Sequence, residues 1–265
     1  MTGIGLIAII AAAQAAASAA PLQPQGKWVL EYADNMCVAS RQFGPPETGV
    51  AFALRPLPLG SAVELVLVRP GGHIDAREGK AGVAIGPGGG AHEADYVMWS
   101  DKAGRRRITR VTFLDPERNL ATGATITITI DKKAVTIAPA GIAQVMAAMA
   151  PCQDDLLRSW KIDPQYMQTI AIPAVPRKSE ASWLTSDDYP AAVVREGTYG
   201  TTTILWMVGA DGMVSGCRTV VRSGSDVLDA AACTALTKRG RYTPALDKDG
   251  KPVPSYRTRR IYWRL

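Results

Sequence analysis

Thr201–Val221 reads TTTILWMVGADGMVSGCRTVV, a β-rich run, a turn and a β-rich return. Thr201 to Val208 forms the first strand, Ala210-Asp211-Gly212 the turn and Met213 to Val221 the second strand. Gly212 accepts the positive φ that a tight hairpin requires. Alternation then puts Thr202, Ile204, Trp206 and Val208 on one face of the first strand. Downstream, Ser223-Gly224-Ser225 ends the return strand, and Ser225 or Asp226 caps a helix. Leu228, Ala231, Ala232, Ala235 and Leu236 share one face of that helix at helical spacing. Pro244, Gly250, Pro252 and Pro254 mark a loop, and Ser255 to Leu265 closes as a strand with Ile261, Trp263 and Leu265 on one side. Upstream, Ser186-Asp187-Asp188 caps a short helix with Tyr189-Pro190 in its first turn and Ala191–Arg195 continuing it, stopped by Gly197 and Gly200. The order helix–strand–strand–helix–strand predicts a small α+β domain over residues 183–265, one helix lying over a three-stranded antiparallel sheet.

The preceding sequence has a different texture. From Lys27 to about Trp160 short β-branched and aromatic runs alternate with Gly, Pro and Asp clusters: Trp28–Tyr32, Val50–Leu54, Val63–Val68, Ala94–Trp99, Ile108–Leu114, Thr125–Ile130 and Ala134–Ala138. Thr125 to Ile130 alternates strictly, as a half-buried strand does, and Asp131-Lys132-Lys133 turns it into the next. Gly141 to Ala150 reads as helix, interrupted by Pro151 and resumed from Gln153 to Trp160. Residues 27–160 are therefore expected to form a β-rich domain, a small antiparallel sheet or barrel-like sandwich with a terminal helix. Residues 161–182, with Pro164, Pro173 and Pro176, read as an extended linker.

The first residues address the compartment. Ile4 to Ala13 is almost wholly apolar, and Ala17-Ser18-Ala19 is a small-residue cleavage site, so residues 1–19 are expected to be a signal peptide. No Lys or Arg precedes the apolar run, and the alternative is a retained inner-membrane anchor. Cys37, Cys152, Cys217 and Cys233 suit an oxidising compartment. Three pairings exist; Cys37–Cys152 with Cys217–Cys233 keeps each bridge within one domain. The cysteine spacing fits no metal pattern, and the two His supply too few further ligands, so neither metal nor cofactor is expected. A net charge of +6 in an exported protein points away from nucleic acid and towards acidic protein or a peripheral contact with anionic lipid.

Several pieces of the last third resemble the C-terminal domain of TonB-family proteins. They are Tyr189-Pro190, Gly197 and Gly200, Asp211-Gly212-x-Val214 and Val220-x-x-Ser223-Gly224-Ser225, then Leu228-Asp229-x-Ala231-Ala232, Tyr242-Thr243-Pro244-Ala245, Gly250-Lys251-Pro252-Val253 and the closing Ile261-Tyr262-Trp263. Each piece is weak alone; their order and spacing carry the resemblance. It implies a peptide-binding module in which a partner segment, from an envelope protein or an outer-membrane receptor, adds as a strand to the sheet edge. The candidate docking strand is the last one, whose other face carries Tyr256, Thr258, Arg260, Tyr262 and Arg264. Basic side chains on such a strand also guard an edge against aggregation. The family's energy transducers keep an N-terminal membrane helix and a long Pro-rich spacer; here a β-rich domain occupies the spacer's place. A periplasmic interaction module is therefore expected ahead of a transducer supporting transport through outer-membrane receptors.

Enzyme signatures are absent. Val214–Arg218 is similar to the Ser/Gly-Cys-Arg stretch of L,D-transpeptidases, but no His lies between Glu93 and the C-terminus to serve as base. Gly86–Gly90 lacks the Gly-Lys-Ser/Thr ending of a phosphate loop and reads as a hairpin tip. His92-Glu93-Ala94-Asp95 reads as a surface loop, and Lys102 with Arg105–Arg107 as a solvated basic turn. The expected mature N-terminus is Ala20: mass spectrometry of the protein from a periplasmic extract should find that end, whereas an intact Met1 in the membrane fraction would support the transducer.

Overall fold

The computed structural model describes residues 20–33, 35–59, 62–86, 89–114 and 119–263. The expected signal peptide at 1–19, the tip residues Pro87 and Gly88, and Arg264 and Leu265 lie outside the described residues.

The first half is one nine-stranded antiparallel sheet: β1 (Pro24–Ala33), β2 (Met36–Phe43), β3 (Val50–Pro56), β4 (Ala62–Pro70), β5 (Arg77–Ile85), β6 (His92–Ser100), β7 (Arg106–Leu114), β8 (Ile126–Ile130) and β9 (Lys133–Ile137). Its strand order is β1-β2-β3-β4-β7-β6-β5-β8-β9. The two ends meet: Leu22 forms a parallel bridge with Ile137, its N–H donating to the Thr136 carbonyl at 2.8 Å and its carbonyl accepting from Ala138 at 3.1 Å. The sheet thus curls into a barrel and hides its own edges. Phe43, Phe52, Leu54, Leu65, Val83, Val111, Ile126 and Ile137 fill the inner face. The strict alternation in β8 is realised: Ile126 and Ile128 are buried while Thr127 pairs its hydroxyl with Thr136 at 3.0 Å. Asp131 and Lys132 both take positive φ in the two-residue turn that follows, as a hairpin turn of that hand demands.

Two strands that the sequence hid are β2 and β5. β2 carries Ser, Arg and Gln, and β5 carries Arg, Glu, Lys and two Gly. Neither has strong strand propensity; neighbours paired on both sides hold each of them in the sheet.

Helix α1 (Ile142–Ser159) packs Ile142, Val145, Met149, Cys152, Leu156 and Leu157 into the same core. The expected interruption at Pro151 does not occur, because α1 runs straight through it. Pro151 and Ala147 are both exposed, so the Ala147 carbonyl that loses its helical donor can be hydrated instead. Cys152, the next residue, is bonded to Cys37 of β2, fastening helix to barrel.

The stretch 161–182 is not the extended linker expected. It forms α2 (Pro164–Gln168), β10 (Ile170–Ile172), β11 (Val175–Pro176) and a 3-10 turn at Glu180–Trp183. The prolines that suggested a linker are compatible with these elements: Pro164 starts a helix capped by the Asp163 side chain, and Pro176 ends a two-residue edge strand.

The remainder contains a 3-10 turn at Ser186–Asp188, α3 (Ala191–Arg195), β12 (Gly200–Val208), β13 (Val214–Val221), α4 (Asp226–Arg239), β14 (Tyr242–Thr243), β15 (Ala245–Asp247), β16 (Pro252–Val253) and β17 (Ser255–Trp263). The main sheet has the order β13-β12-β17, with α4 over it, as expected. Small sheets β10-β15-β16 and β11-β14 were not foreseen; they tie 170–176 to the loop before β17. The first short helix is also divided. Thr185 and Asp188 form a capping box around the 3-10 turn, Tyr189 is extended ahead of Pro190, and Pro190 is the N-cap of α3.

Cys217 of β13 is bonded to Cys233 of α4. The sequence separations of 115 for Cys37–Cys152 and 16 for Cys217–Cys233 set the expected stabilities apart. Replacing the first pair by Ala should lower unfolding free energy by about 5 kcal/mol and the second by about 3 kcal/mol on the loop-entropy account, read from urea midpoints.

Candidate functional site

The motif residues of the last third serve the fold. Gly212 has φ +78°, and a Cβ there would overlap the Tyr242 carbonyl oxygen. Asp211 Oδ1 accepts from the Met213 N–H at 2.9 Å and shapes the same turn. Gly200 lies against Ser223, leaving no room for a side chain. Gly197 has φ +65° at the end of α3, and the Tyr189 hydroxyl donates to the Thr198 carbonyl. Gly224 and Gly250 also take positive φ, in the turns before α4 and β16. Leu228 and Ala245 are fully buried, with Pro244 between β14 and β15.

Asp229 clamps three elements together. Trp263 Nε1 on β17 donates to Thr202 Oγ1 on β12 at 2.9 Å, and Thr202 donates onward to Asp229 Oδ1 on α4 at 2.7 Å. The Ser223 N–H reaches the same oxygen at 3.1 Å. A buried carboxylate held this way fixes the helix to the sheet and to the preceding turn.

The candidate docking residues lie on the sheet face turned away from α4, and that face is covered. Leu205 of β12 belongs to the barrel's core, and Tyr256 and Val220 pack against it. Thr258 is buried and its hydroxyl approaches the Leu59 carbonyl at 3.4 Å. Arg260 and Tyr262 both bind Glu64 of β4, which is only 1% exposed. Arg55 of β3 stands across from Glu64 at 3.4 Å, and the Arg110 guanidinium of β7 lies 3.4 Å from the centroid of the Tyr262 ring. Burial opposes the Arg260 charge, but Glu64 overcomes it and raises the guanidinium pKa. Burial raises the Tyr262 phenol, with Glu64 adding to the shift. The expectation that Tyr256, Thr258, Arg260 and Tyr262 would present their side chains outward therefore fails, because the barrel wall occupies their face.

The opposite face of β17 is also held by the chain itself. Arg257 pairs with Glu180 at 3.0 Å, and Arg259 donates to the Glu180 carbonyl. Tyr242, fully buried, gives its hydroxyl to Glu180 at 2.9 Å and meets Trp183 edge-on at 5.2 Å. Arg239 donates to the Trp183 carbonyl and pairs with Asp188.

What remains of the candidate is its backbone. Among the described residues, β17 pairs only with β12, in unbroken register from Gly200↔Trp263 to Val208↔Ser255, and no strand pairs with its outer side. The other edge, β13, is irregular. Its register slips twice against β12, and Gly216 at φ +58° sits in one of the slips. Bulges of this kind blunt an edge.

Glu64, Arg55 and Glu180 were not singled out by sequence reasoning. One signal was present for Glu64, a lone carboxylate inside Val63–Val68, where an apolar strand has no evident use for it. Removing that carboxylate strands two buried guanidinium groups. Glu64→Ala is expected to cost about 3–5 kcal/mol in urea unfolding, and adding Arg55→Met and Arg260→Met should recover much of the loss.

No curated protein matches the chain. Residues 186–265, just under a third of the chain, match the model of the family described as Gram-negative bacterial TonB protein C-terminal, so the hairpin, α4 and β17 are the body of a TonB C-terminal domain.

Proposed function

We propose that this chain is an exported, non-catalytic protein-interaction module of the bacterial envelope, which takes an extended segment of a partner protein onto the outer edge of β17. The observation that carries the reading is the nine-residue edge strand itself, regular along its length and unpaired on its outer side among the described residues. Strand addition draws its affinity from main-chain hydrogen bonds, and an edge already fixed in extended form spares the complex an ordering cost. β17 is fixed on both faces, by Glu64 and the barrel on one and by Glu180 and α4 on the other.

The arginines of β17 bear on the rival idea of a guarded edge. Charges guard an edge when they project from it. Arg257, Arg259 and Arg260 instead turn to Glu180 and Glu64. Selectivity must then come from surfaces flanking the strand, since its own side chains are engaged. The match to the TonB C-terminal family supports the envelope location and the protein partner in general terms. No helix of the described residues is long and apolar enough to cross a membrane.

Photo-crosslinking in cells tests the edge. A photoreactive phenylalanine analogue placed at Pro254, exposed immediately before β17, should give a discrete heavier adduct, and the same group at Ser215, exposed on β13, should not. Adducts from Ser215 alone, or from neither site, would remove β17 as the docking strand.

A further inference from the structure

A cavity of about 350 Å3 lies between the barrel wall and the C-terminal sheet. Its lining includes Arg55 and Arg110 from the barrel and Arg222, Ser223, Arg260 and Tyr262 from the other side. Arg55 is the group that its surroundings fail to satisfy. It faces Glu64 across neighbouring strands, but one Glu64 oxygen is bound by Arg260 and the other by Tyr262. Arg55 Nη1 stays 3.4 Å from that carboxylate, Nη2 donates to the Met36 sulfur at 3.0 Å, and Nε is buried with no hydrogen-bond partner. A thioether is a weak acceptor, and a guanidinium brings five donors. Buried donors without acceptors are rare in folded proteins and call for an explanation. Burial also holds the Arg55 pKa below the ordinary guanidinium range, with Glu64 acting the other way.

We infer that this interdomain cleft binds a compact oxyanion, a phosphate or carboxylate group, with Arg55 as its central ligand and Arg222 at its mouth. A guanidinium presents parallel N–H groups that match two oxygens of either anion, which a sulfur atom cannot do. The volume sits at the lower end for ligand pockets and suits one small polar group better than an acyl chain or a glycan. The Arg222 side chain is 69% exposed, pairs with Asp226 and stands 3.8 Å from Asp229, so it rims the opening, while Arg55, 18% exposed, stands deeper. Because the lining comes from both halves of the chain, an anion held there ties them together, and occupancy stabilises the joined form by mass action.

The test uses the processed full-length chain, titrated with sodium phosphate and separately with sodium acetate, against sodium chloride at equal ionic strength. Binding is read by isothermal calorimetry and by the shift in melting temperature. The expected result is saturable binding of at least one oxyanion and none of chloride. Affinity should fall about tenfold or more in Arg55→Met and severalfold in Arg222→Gln, which leaves the Glu64 cluster intact. Binding in the phosphate arm alone assigns a phosphate group, and in the acetate arm alone a carboxylate. No saturable binding by either anion below about 10 mM, or binding that both variants leave unchanged, overturns the site. Should Arg55→Met not fold, unchanged affinity in Arg222→Gln is sufficient to overturn it.

Discussion

A three-stranded sheet has two faces, and a single helix covers only one. The molecule depends on how the other is covered. On the α4 side, Ile204, Trp206, Ile261 and Trp263 close a compact core with Leu228 and Leu236. On the far side, Leu205, Tyr256 and Thr258 would face water were it not for the barrel wall. The joint is not purely apolar. Glu64 sits at its centre with Arg55, Arg260 and Tyr262 around it. An apolar joint of equal area would hold, but a buried carboxylate with directed partners also sets one docking geometry against neighbouring ones.

That arrangement explains which parts of the chain were legible in its sequence. The hairpin, α4 and the last strand could be read because local chemistry and tertiary role agree there: alternation, a turn glycine, a capping Ser225 and an Ala-rich face all indicate the same packing. The barrel was legible in class but not in count. β2 and β5 are strands by virtue of their neighbours, and a strand made by context leaves little trace in its own residues. Pro151 and the prolines of 161–182 misled for a related reason. Proline removes a donor, and whether that matters depends on whether the donor was needed, which only the fold decides.

The candidate site divides in the same way. That β17 is an edge strand follows from element order and was visible beforehand. That the barrel covers its outward-seeming side chains was not, because the residues that cover them, Leu59, Glu64 and Arg110, lie more than a hundred positions away in sequence. Arg260 and Glu64 are separated by 196 positions, and nothing in the spacing of either announces the other. The basic character of the last strand looked like a solvent-facing property and turned out to be an internal one.

The seam of the barrel has a consequence for reach. Leu22 is stitched to β9, so the chain has no slack between the wall of the barrel and whatever precedes residue 20. An extended chain spans roughly 3.5 Å per residue, so the two positions between Ala19 and Leu22 offer at most a rope of about 10 Å. An attachment made at residue 20 itself would therefore sit close against the barrel wall, because residues 20–22 add almost no reach of their own.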